Sequence, residues 1–139
     1  MWGGGGWGIF SETSLAVQNG AQEIDTVLAI GQLKSANYPA VYADIAATVA
    51  AAAAAAAHHT PPAPAPAVKV IIETALLTDE QKIAACYIAA EAGAAFVKTC
   101  TGFSGGGATV RDVHLMMLTV LYREGRVKVK ASAAIRDFV

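Results

Sequence analysis

The feature that most constrains the fold is an alternation of β-branched runs and helix-prone segments along the second half of the chain. Three runs have strand length and composition, AVKVIIET (67–74), AAFVKTC (94–100) and RVKVKAS (126–132). The connections to the intervening segments are short. Strands that alternate with helices in this way form parallel βαβ units, and we predict an α/β fold with a parallel sheet. Because near-continuous apolar runs are typical of parallel strands, we expect both sheet faces to be buried.

The intervening segments carry recognisable helix ends. Thr78 and Gln81 have the spacing of a capping box, and Gly93 is placed to end the helix that they begin. In the next segment Thr109 is the predicted N-cap and Gly125 the predicted stop. Both segments are therefore predicted to be helices that return the chain to the start of the next strand.

The first half is less regular. Residues 11–20 (SETSLAVQNG) indicate a short helix, and residues 21–30 (AQEIDTVLAI) indicate a buried strand with one embedded acid. Residues 38–57 are helix-prone throughout. We interpret the glycine-dominated residues 1–10 as a flexible start, and the Ala/Pro-rich tract at about 46–67 as a low-complexity connector outside the core.

These boundaries predict a single domain over residues 11–139, with the Ala/Pro tract inserted in it. A further helix is predicted to begin in residues 133–139 (AAIRDFV).

Composition excludes several classes of function. The net charge of −1 gives no electrostatic basis for binding nucleic acid or an anionic membrane. The longest alanine-rich run, at residues 46–57, is shorter than the roughly 20 residues that a spanning helix needs, and no signal peptide is predicted. Cys86 and Cys100 form neither a disulfide framework nor a metal-ligand pair, and His58 and His59 lack further ligands nearby. We therefore expect no metal and a reducing, cytoplasmic location.

Lys98 ends an apolar strand directly before the Thr- and Gly-rich loop of AAFVKTCTGFSGGGAT (94–109). Lysine is strongly hydrated and rarely fully buried. In one interpretation its stem packs at the strand end while the ammonium stays in water. In the other, the amine is held in a dry pocket as a nucleophile. The segment alone leaves both interpretations open.

Three polar residues lie within or at the ends of the apolar strands, namely Asp25, Lys98 and Lys130. In parallel α/β folds the active site lies at the carboxyl ends of the strands, and consecutive βαβ strands are usually neighbours. If the amines of Lys98 and Lys130 approach closely, repulsion and desolvation favour a neutral lysine, which can form a Schiff base with a carbonyl. Asp25 and Lys130 would then move protons. The alternative is that Lys130, like Lys128, belongs to a basic edge that faces solvent.

Three stretches closely resemble the deoxyribose-phosphate aldolase family. They are NGAQEIDTVLAIGQLKSANYPAVYADI (19–45), VKVIIETALLTDEQKIAACYIAAEAGAAFVKTCTGFSGGGATVRDV (68–113) and VKASAAIRDF (129–138). The resemblance implies a TIM (β/α)₈ barrel and a cytoplasmic class I aldolase, a lyase without a cofactor. Its reaction is the reversible cleavage of 2-deoxy-D-ribose 5-phosphate to D-glyceraldehyde 3-phosphate and acetaldehyde, in deoxyribonucleoside breakdown.

The motifs of that family imply residue roles here. Lys98 in FVKTCTGF resembles the Schiff-base lysine, Lys130 in VKAS the lysine that perturbs it and assists proton transfer, and Asp25 in EIDTV the aspartate of the proton relay. Thr101 and Gly102 resemble the start of the sugar-phosphate site.

The chain also departs from the family pattern. Its four strand candidates resemble the third to sixth barrel strands, whereas a complete barrel takes roughly 200 residues or more. Ala133 and Ala134 stand where the family has two glycines that let the backbone approach the phosphate, and Cys100 stands where serine is common. A catalytically inactive barrel fragment or an interaction subunit is therefore the alternative function. Four strands leave two open sheet edges, and pairing of two half-barrels in a homo-oligomer is one way to close them.

Overall fold

The structure is a computed structural model, and it describes residues 5–103 and 105–133, with the side chains of 5–7, 9 and 10 left out. Its four strands are β1 (Glu23–Val27), β2 (Ala67–Ile71), β3 (Phe96–Lys98) and β4 (Lys128–Lys130). All pair in parallel, and their order in the sheet is their order in the chain. The predicted α/β fold with a parallel sheet is confirmed.

Within the described residues, five helices connect and cover the strands. They are α1 (Gly5–Gln18), α2 (Ile30–Lys34), α3 (Tyr38–Ala57), α4 (Asp79–Glu91) and α5 (Val110–Val120). Short 3-10 turns follow β2 at Thr74–Leu76 and α5 at Leu121–Arg123. The helix predicted to begin in residues 133–139 falls almost entirely outside the described residues.

The predicted helix ends of α4 and α5 are confirmed. The Thr78 hydroxyl accepts from the Gln81 amide, and the Gln81 side chain accepts from the Thr78 amide, which completes the capping box. The Thr109 hydroxyl accepts from the amide of Asp112. Gly93 and Gly125 have φ of +96° and +81°, the left-handed conformation that glycine adopts without steric cost.

The two faces of the sheet differ, contrary to the expectation that both would be buried alike. Residues that alternate along parallel strands in register share a face. One face carries apolar side chains that pack under the helices: Ile24, Val68, Val70, Val97 and Val129. The opposite face, called the polar face below, carries all six charged residues of these strands: Glu23, Asp25, Lys69, Lys98, Lys128 and Lys130. Only Ile24 is buried in β1, because β1 lies at a sheet edge.

The alanine run belongs to the core, so its interpretation as a connector was wrong for residues 46–57. It forms the second half of α3, and Ala51, Ala52, Ala55 and Ala56 are buried. Alanine is the strongest helix former and its small side chain allows close helix packing, here against α1 and β2. The proline-rich residues 61–66 are not helical, as expected from their composition.

The N-terminal segment also differs from its prediction. α1 begins at Gly5, so residues 5–10 continue the helix predicted for residues 11–20, while residues 1–4 lie outside the described residues. The end of α3 is tied back to α1, because the His59 Nε2 donates to the carbonyl of Val17 at 2.8 Å. By length and composition alone, α3 is long and apolar enough to cross a membrane. In this fold, 39% of its most apolar 18-residue stretch is buried inside the protein.

Candidate active site

The sheet register brings the predicted site residues to the polar face. Lys98 is the last residue of β3 and lies in register with Lys130, the last residue of β4. Asp25, in the middle of β1, is in register with Lys69 of β2. Since β2 lies between β1 and β3, Asp25 and Lys98 belong to strands about 10 Å apart, twice the spacing of adjacent strands.

Asp25 and Lys98 nevertheless meet. Lys98 Nζ donates to Oδ2 of Asp25 at 2.8 Å, in an ion pair that passes over β2. The Lys98 side chain is 16% exposed and that of Asp25 is 38% exposed. Lys98 is therefore mostly buried at its stem, while its charged end is held by a carboxylate at the rim of the sheet.

The electrostatic surroundings of Asp25 favour its ionised form. Partial burial acts to raise the pKa of Asp25, but the hydrogen bond and the charge of Lys98, with the charges of Lys69 and Lys130, outweigh it. The net result is a pKa below the ordinary value for an aspartate. Asp25 is thus a carboxylate at neutral pH and accepts the hydrogen bond of the Lys98 ammonium.

Lys130 occupies the exposed end of the edge strand β4. Among the described residues its ammonium has no carboxylate within 4.0 Å. Its side chain lies on the same face as Lys98, and its charge reaches Asp25. The structure therefore brings Lys130 to the cluster, beside Lys98 and without a carboxylate partner among the described residues.

Lys69 was missed by the sequence reasoning, although it is the most buried charged residue of the cluster. It is 3% exposed, forms an ion pair with Glu23, and its Nζ lies 3.8 Å from Oδ1 of Asp25. Its ammonium also lies 5.7 Å from the centre of the Phe96 ring. The signal was present in AVKVIIET, where a single lysine interrupts a β-branched run just as Asp25 interrupts its own strand.

The loop after β3 is fixed by hydrogen bonds to its neighbours. The Thr99 hydroxyl donates to the carbonyl of Ser132 at 3.1 Å, and the Ser132 hydroxyl donates to the carbonyl of Cys100 at 2.7 Å. The Thr101 hydroxyl donates to Oε2 of Glu73 at 2.8 Å. Glu73 is 3% exposed and follows β2, so side chains from three consecutive strand ends hold this loop beside Lys98.

Gly102 and Ala133 meet where the loops after β3 and β4 approach each other. Gly102 has φ of +93°, and a Cβ there would lie 3.3 Å from the Cβ of Ala133. Ala133 itself has φ of +61°, a conformation that glycine adopts far more readily than alanine. The backbone therefore has a glycine-type conformation at Ala133 despite the methyl group. Ala134 lies outside the described residues.

Within the described residues, no group of three or more His, Cys, Asp or Glu side chains is placed to hold a metal ion. Cys86 and Cys100 are both free and buried. Burial raises the pKa of the Cys86 thiol to about 12.

The cluster has the composition for amine chemistry on an anionic carbonyl compound. Three lysines (Lys69, Lys98 and Lys130) face two carboxylates (Glu23 and Asp25), so the cluster carries one net positive charge when all five are ionised. Lys98 supplies a primary amine in contact with a proton acceptor, and Lys130 supplies a second ammonium nearby. This arrangement can form an imine and move protons around it.

Comparisons with known proteins find similar sequences among the deoxyribose-phosphate aldolases. The deoxyribose-phosphate aldolase of Carboxydothermus hydrogenoformans is 53% identical over 127 residues, which make up 91% of this chain and 51% of the relative. That of Clostridium tetani is 51% identical over 127 residues, 91% of this chain and 53% of the relative. The chain spans about half the length of the curated relatives it matches. No family model matches it.

Solved structures of the same family share the fold. A Coccidioides immitis crystal structure assigned to the deoxyribose-phosphate aldolases is 39% identical, with a TM-score of 0.79 over 91% of this chain and 46% of its own. The deoxyribose phosphate aldolase of Aeropyrum pernix, described as a unique tetrameric structure, is 28% identical, with a TM-score of 0.73 over 92% of this chain and 48% of its own. The parallel sheet and helices thus correspond to about half of each of these proteins.

Proposed function

Because this chain belongs to the deoxyribose-phosphate aldolase family along the residues that match, we propose that it carries the Schiff-base centre of a class I aldolase. The proposed reaction is the reversible cleavage of 2-deoxy-D-ribose 5-phosphate to D-glyceraldehyde 3-phosphate and acetaldehyde. The observation that carries the proposal is the 2.8 Å contact between Lys98 Nζ and Asp25 Oδ2, on the face that Lys130 shares.

In the proposed mechanism Lys98 first transfers its proton and attacks the C1 aldehyde of the open-chain sugar. Loss of water from the resulting carbinolamine leaves a protonated imine, which draws electrons from the neighbouring bond. The C2–C3 bond breaks, its electron pair forms an enamine on Lys98, and the C3 hydroxyl loses its proton as glyceraldehyde 3-phosphate leaves. Protonation at C2 and hydrolysis then release acetaldehyde and restore the amine.

Asp25 and Lys130 have separate roles in this scheme. Asp25 accepts the proton of Lys98, since its carboxylate already contacts that ammonium. Lys130, with water, supplies and removes the protons of the carbinolamine and of the enamine carbon. Its exposed position and the absence of a carboxylate within 4.0 Å among the described residues leave its amine free to reach a bound substrate.

We further propose that the loops after β3 and β4 bind the sugar phosphate. The candidates are Thr101, Gly102, Ala133 and Ala134. The positive-φ backbone of Gly102 and the glycine-type conformation of Ala133 support close approach of an anion to the main chain. The net positive charge of the lysine cluster favours a phosphorylated substrate over a neutral one. No contact with nucleic acid or a membrane is proposed, and the two buried free thiols fit a reducing cytoplasm.

A homo-oligomer is the proposed assembly. β1 and β4 are the two edges of the sheet within the described residues. Apolar side chains beside these edges are exposed, among them Val27 at 47% and Leu121 at 68%. Pairing of two copies along the edges would cover them. Sedimentation equilibrium tests this, and a strictly monomeric chain at micromolar concentration would refute it.

The function is tested by incubating the chain with 2-deoxy-D-ribose 5-phosphate and assaying acetaldehyde and glyceraldehyde 3-phosphate together. We expect equal amounts of both products, lost in Lys98→Met and strongly reduced in Lys130→Met. Lys128→Met is the matched control, because Lys128 is an exposed lysine of the same strand and face. Absence of turnover from folded chain would refute the proposal and leave the alternative of an inactive barrel fragment or interaction subunit.

A further inference from the structure

Among the described residues, Lys69 is the one buried charged residue of the polar face, and the proposed mechanism leaves it unused. Lys69 lies on β2, between β1 and β3, and the residue is 3% exposed. A charged side chain with so little exposed surface is costly unless its charge is compensated. Two carboxylates compensate it here, since Glu23 forms an ion pair with it and Oδ1 of Asp25 lies 3.8 Å away.

The two oxygens of Asp25 are therefore divided between two amines. Oδ2 accepts from Lys98 at 2.8 Å, and Oδ1 faces Lys69. Such a division fixes the rotation of the carboxyl group, because turning it would withdraw one oxygen from a positive charge. Lys69 is itself held in place by Glu23 and by the ring of Phe96. Lys69 is thus a buried residue that lies beneath the more exposed pair of Asp25 and Lys98.

We propose that Lys69 is a positioning residue that acts through Asp25, holding its Oδ1 so that Oδ2 stays directed at Lys98. This inference rests on the proposed function, in which Asp25 accepts the proton of Lys98. Lys69 itself touches neither the substrate nor the reacting amine in this account. Glu23, 59% exposed in its side chain, serves as the outer anchor of Lys69.

The charges around Asp25 agree with this role. Asp25 faces Lys69 on β2, Lys98 on β3 and Lys130 on β4, with Glu23 on its own strand and Glu12 of α1 bordering the cleft beside β1. The hydrogen bond to Glu23 is the largest cause of a raised pKa for Lys69, and it outweighs burial, so Lys69 stays charged throughout the neutral range. A permanently charged group suits positioning better than proton transfer.

The test compares Lys69→Met and Lys69→Gln with wild-type chain by ¹³C NMR titration of the Asp25 carboxyl group. Both substitutions remove the charge, and two side chains of different polarity guard against a variant that does not fold. We expect the titration midpoint of Asp25 to move to higher pH in each, and Lys69→Arg to restore it. Lys128→Met is the matched control, since it removes an exposed lysine of the same face and should leave the midpoint unchanged.

A second readout is the rate at which borohydride traps acetaldehyde on Lys98. We expect Lys69→Met to lower the trapping rate about tenfold, and Lys69→Arg to recover most of that rate. The expected loss is a small part of the roughly 10²–10⁴-fold that a positioned proton-transfer group contributes. An unmoved Asp25 midpoint, or an unchanged trapping rate despite a moved midpoint, would overturn the inference. If wild-type chain traps nothing, the proposed function fails, while the titration still decides whether Lys69 controls Asp25.

Discussion

Asp25 and Lys98 form an ion pair across an intervening strand: Oδ2 and Nζ lie 2.8 Å apart, although β2 separates their strands. Neither residue could make this contact from the helix-covered face of the sheet. The pair exists because both side chains point to the polar face. In strands that pair in register, residues an even number of positions apart point to the same face of the sheet, and Asp25 and Lys98 are related in this way. The candidate site is thus a direct consequence of strand register.

The first prediction concerns acid stability. Because the pKa of Asp25 is lowered in the folded chain, its contribution to stability is present above about pH 4, the ordinary range of an aspartate, and is lost as pH falls through the lower folded pKa. The free energy of unfolding, measured by urea denaturation, should therefore fall less between neutral and acid pH in Asp25→Asn than in the wild-type chain.

Asp44→Asn is the control of opposite sign for this experiment. Burial raises the pKa of Asp44, so its ionised form weakens the folded state at neutral pH. The asparagine should then be more stable than wild type at neutral pH and should lose that advantage in acid. Identical pH profiles for Asp25→Asn and wild type would contradict the assigned ion pair.

A second prediction concerns the turn at Ala133. Its φ of +61° costs an L-residue about 1–2 kcal/mol, whereas glycine adds about 0.4–1 kcal/mol of unfolded-state entropy. Ala133→Gly should therefore stabilise the chain by up to about 1 kcal/mol in urea unfolding. Ala131→Gly, two residues earlier and without positive φ, should destabilise it. Equal effects of the two substitutions would show that residue 133 is not left-handed.

The Glu73 contact yields a third prediction. Glu73 is 3% exposed and accepts from both the hydroxyl and the amide of Thr101, at 2.8 and 3.3 Å. Glu73→Ala should cost about 1–3 kcal/mol, because it leaves the Thr101 donors without their buried acceptor. Hydrogen exchange at the amides of Thr101 and Phe103 should accelerate, while that of β2 should not. Unchanged exchange in the loop would remove Glu73 as its anchor.

Thiol reactivity provides a fourth prediction. Both cysteines are fully buried, and the pKa of Cys86 is raised to about 12. Since the thiolate is the reactive form, a disulfide reagent at pH 8 should label the folded chain slowly and the urea-unfolded chain at both positions. Rapid labelling of Cys86 in the folded chain would contradict its burial in the core.

Local signals in the sequence predicted much of this architecture. β-branched runs located β2, β3 and β4, and the helix ends at Thr78, Gly93 and Thr109 followed from capping chemistry that depends only on neighbouring residues. Asp25 and Lys98 were predicted as site residues because they interrupt apolar strands, where a charged side chain is seldom placed without a partner.

The errors were made where structure depends on distant partners. Composition indicated a connector for the alanine run of α3, but this run is buried because α1 packs against it. The glycines of residues 5–8 had likewise indicated a flexible start, although these residues belong to α1. Lys69 was passed over because only the register with Asp25 shows that it lies beneath the ion pair. The composition of a segment does not indicate which other helix or strand will pack against it.

The assignment of Lys98 as the Schiff-base residue is tested by treating the chain with acetaldehyde and borohydride and locating the adduct by peptide mass spectrometry. We expect one reduced ethyl group on Lys98, absent in Lys98→Ala and weakened in Lys130→Leu, with the other lysines unmodified under the same reaction conditions. An adduct spread over the exposed lysines, or none on folded protein, would contradict the assignment of Lys98 as the Schiff-base residue.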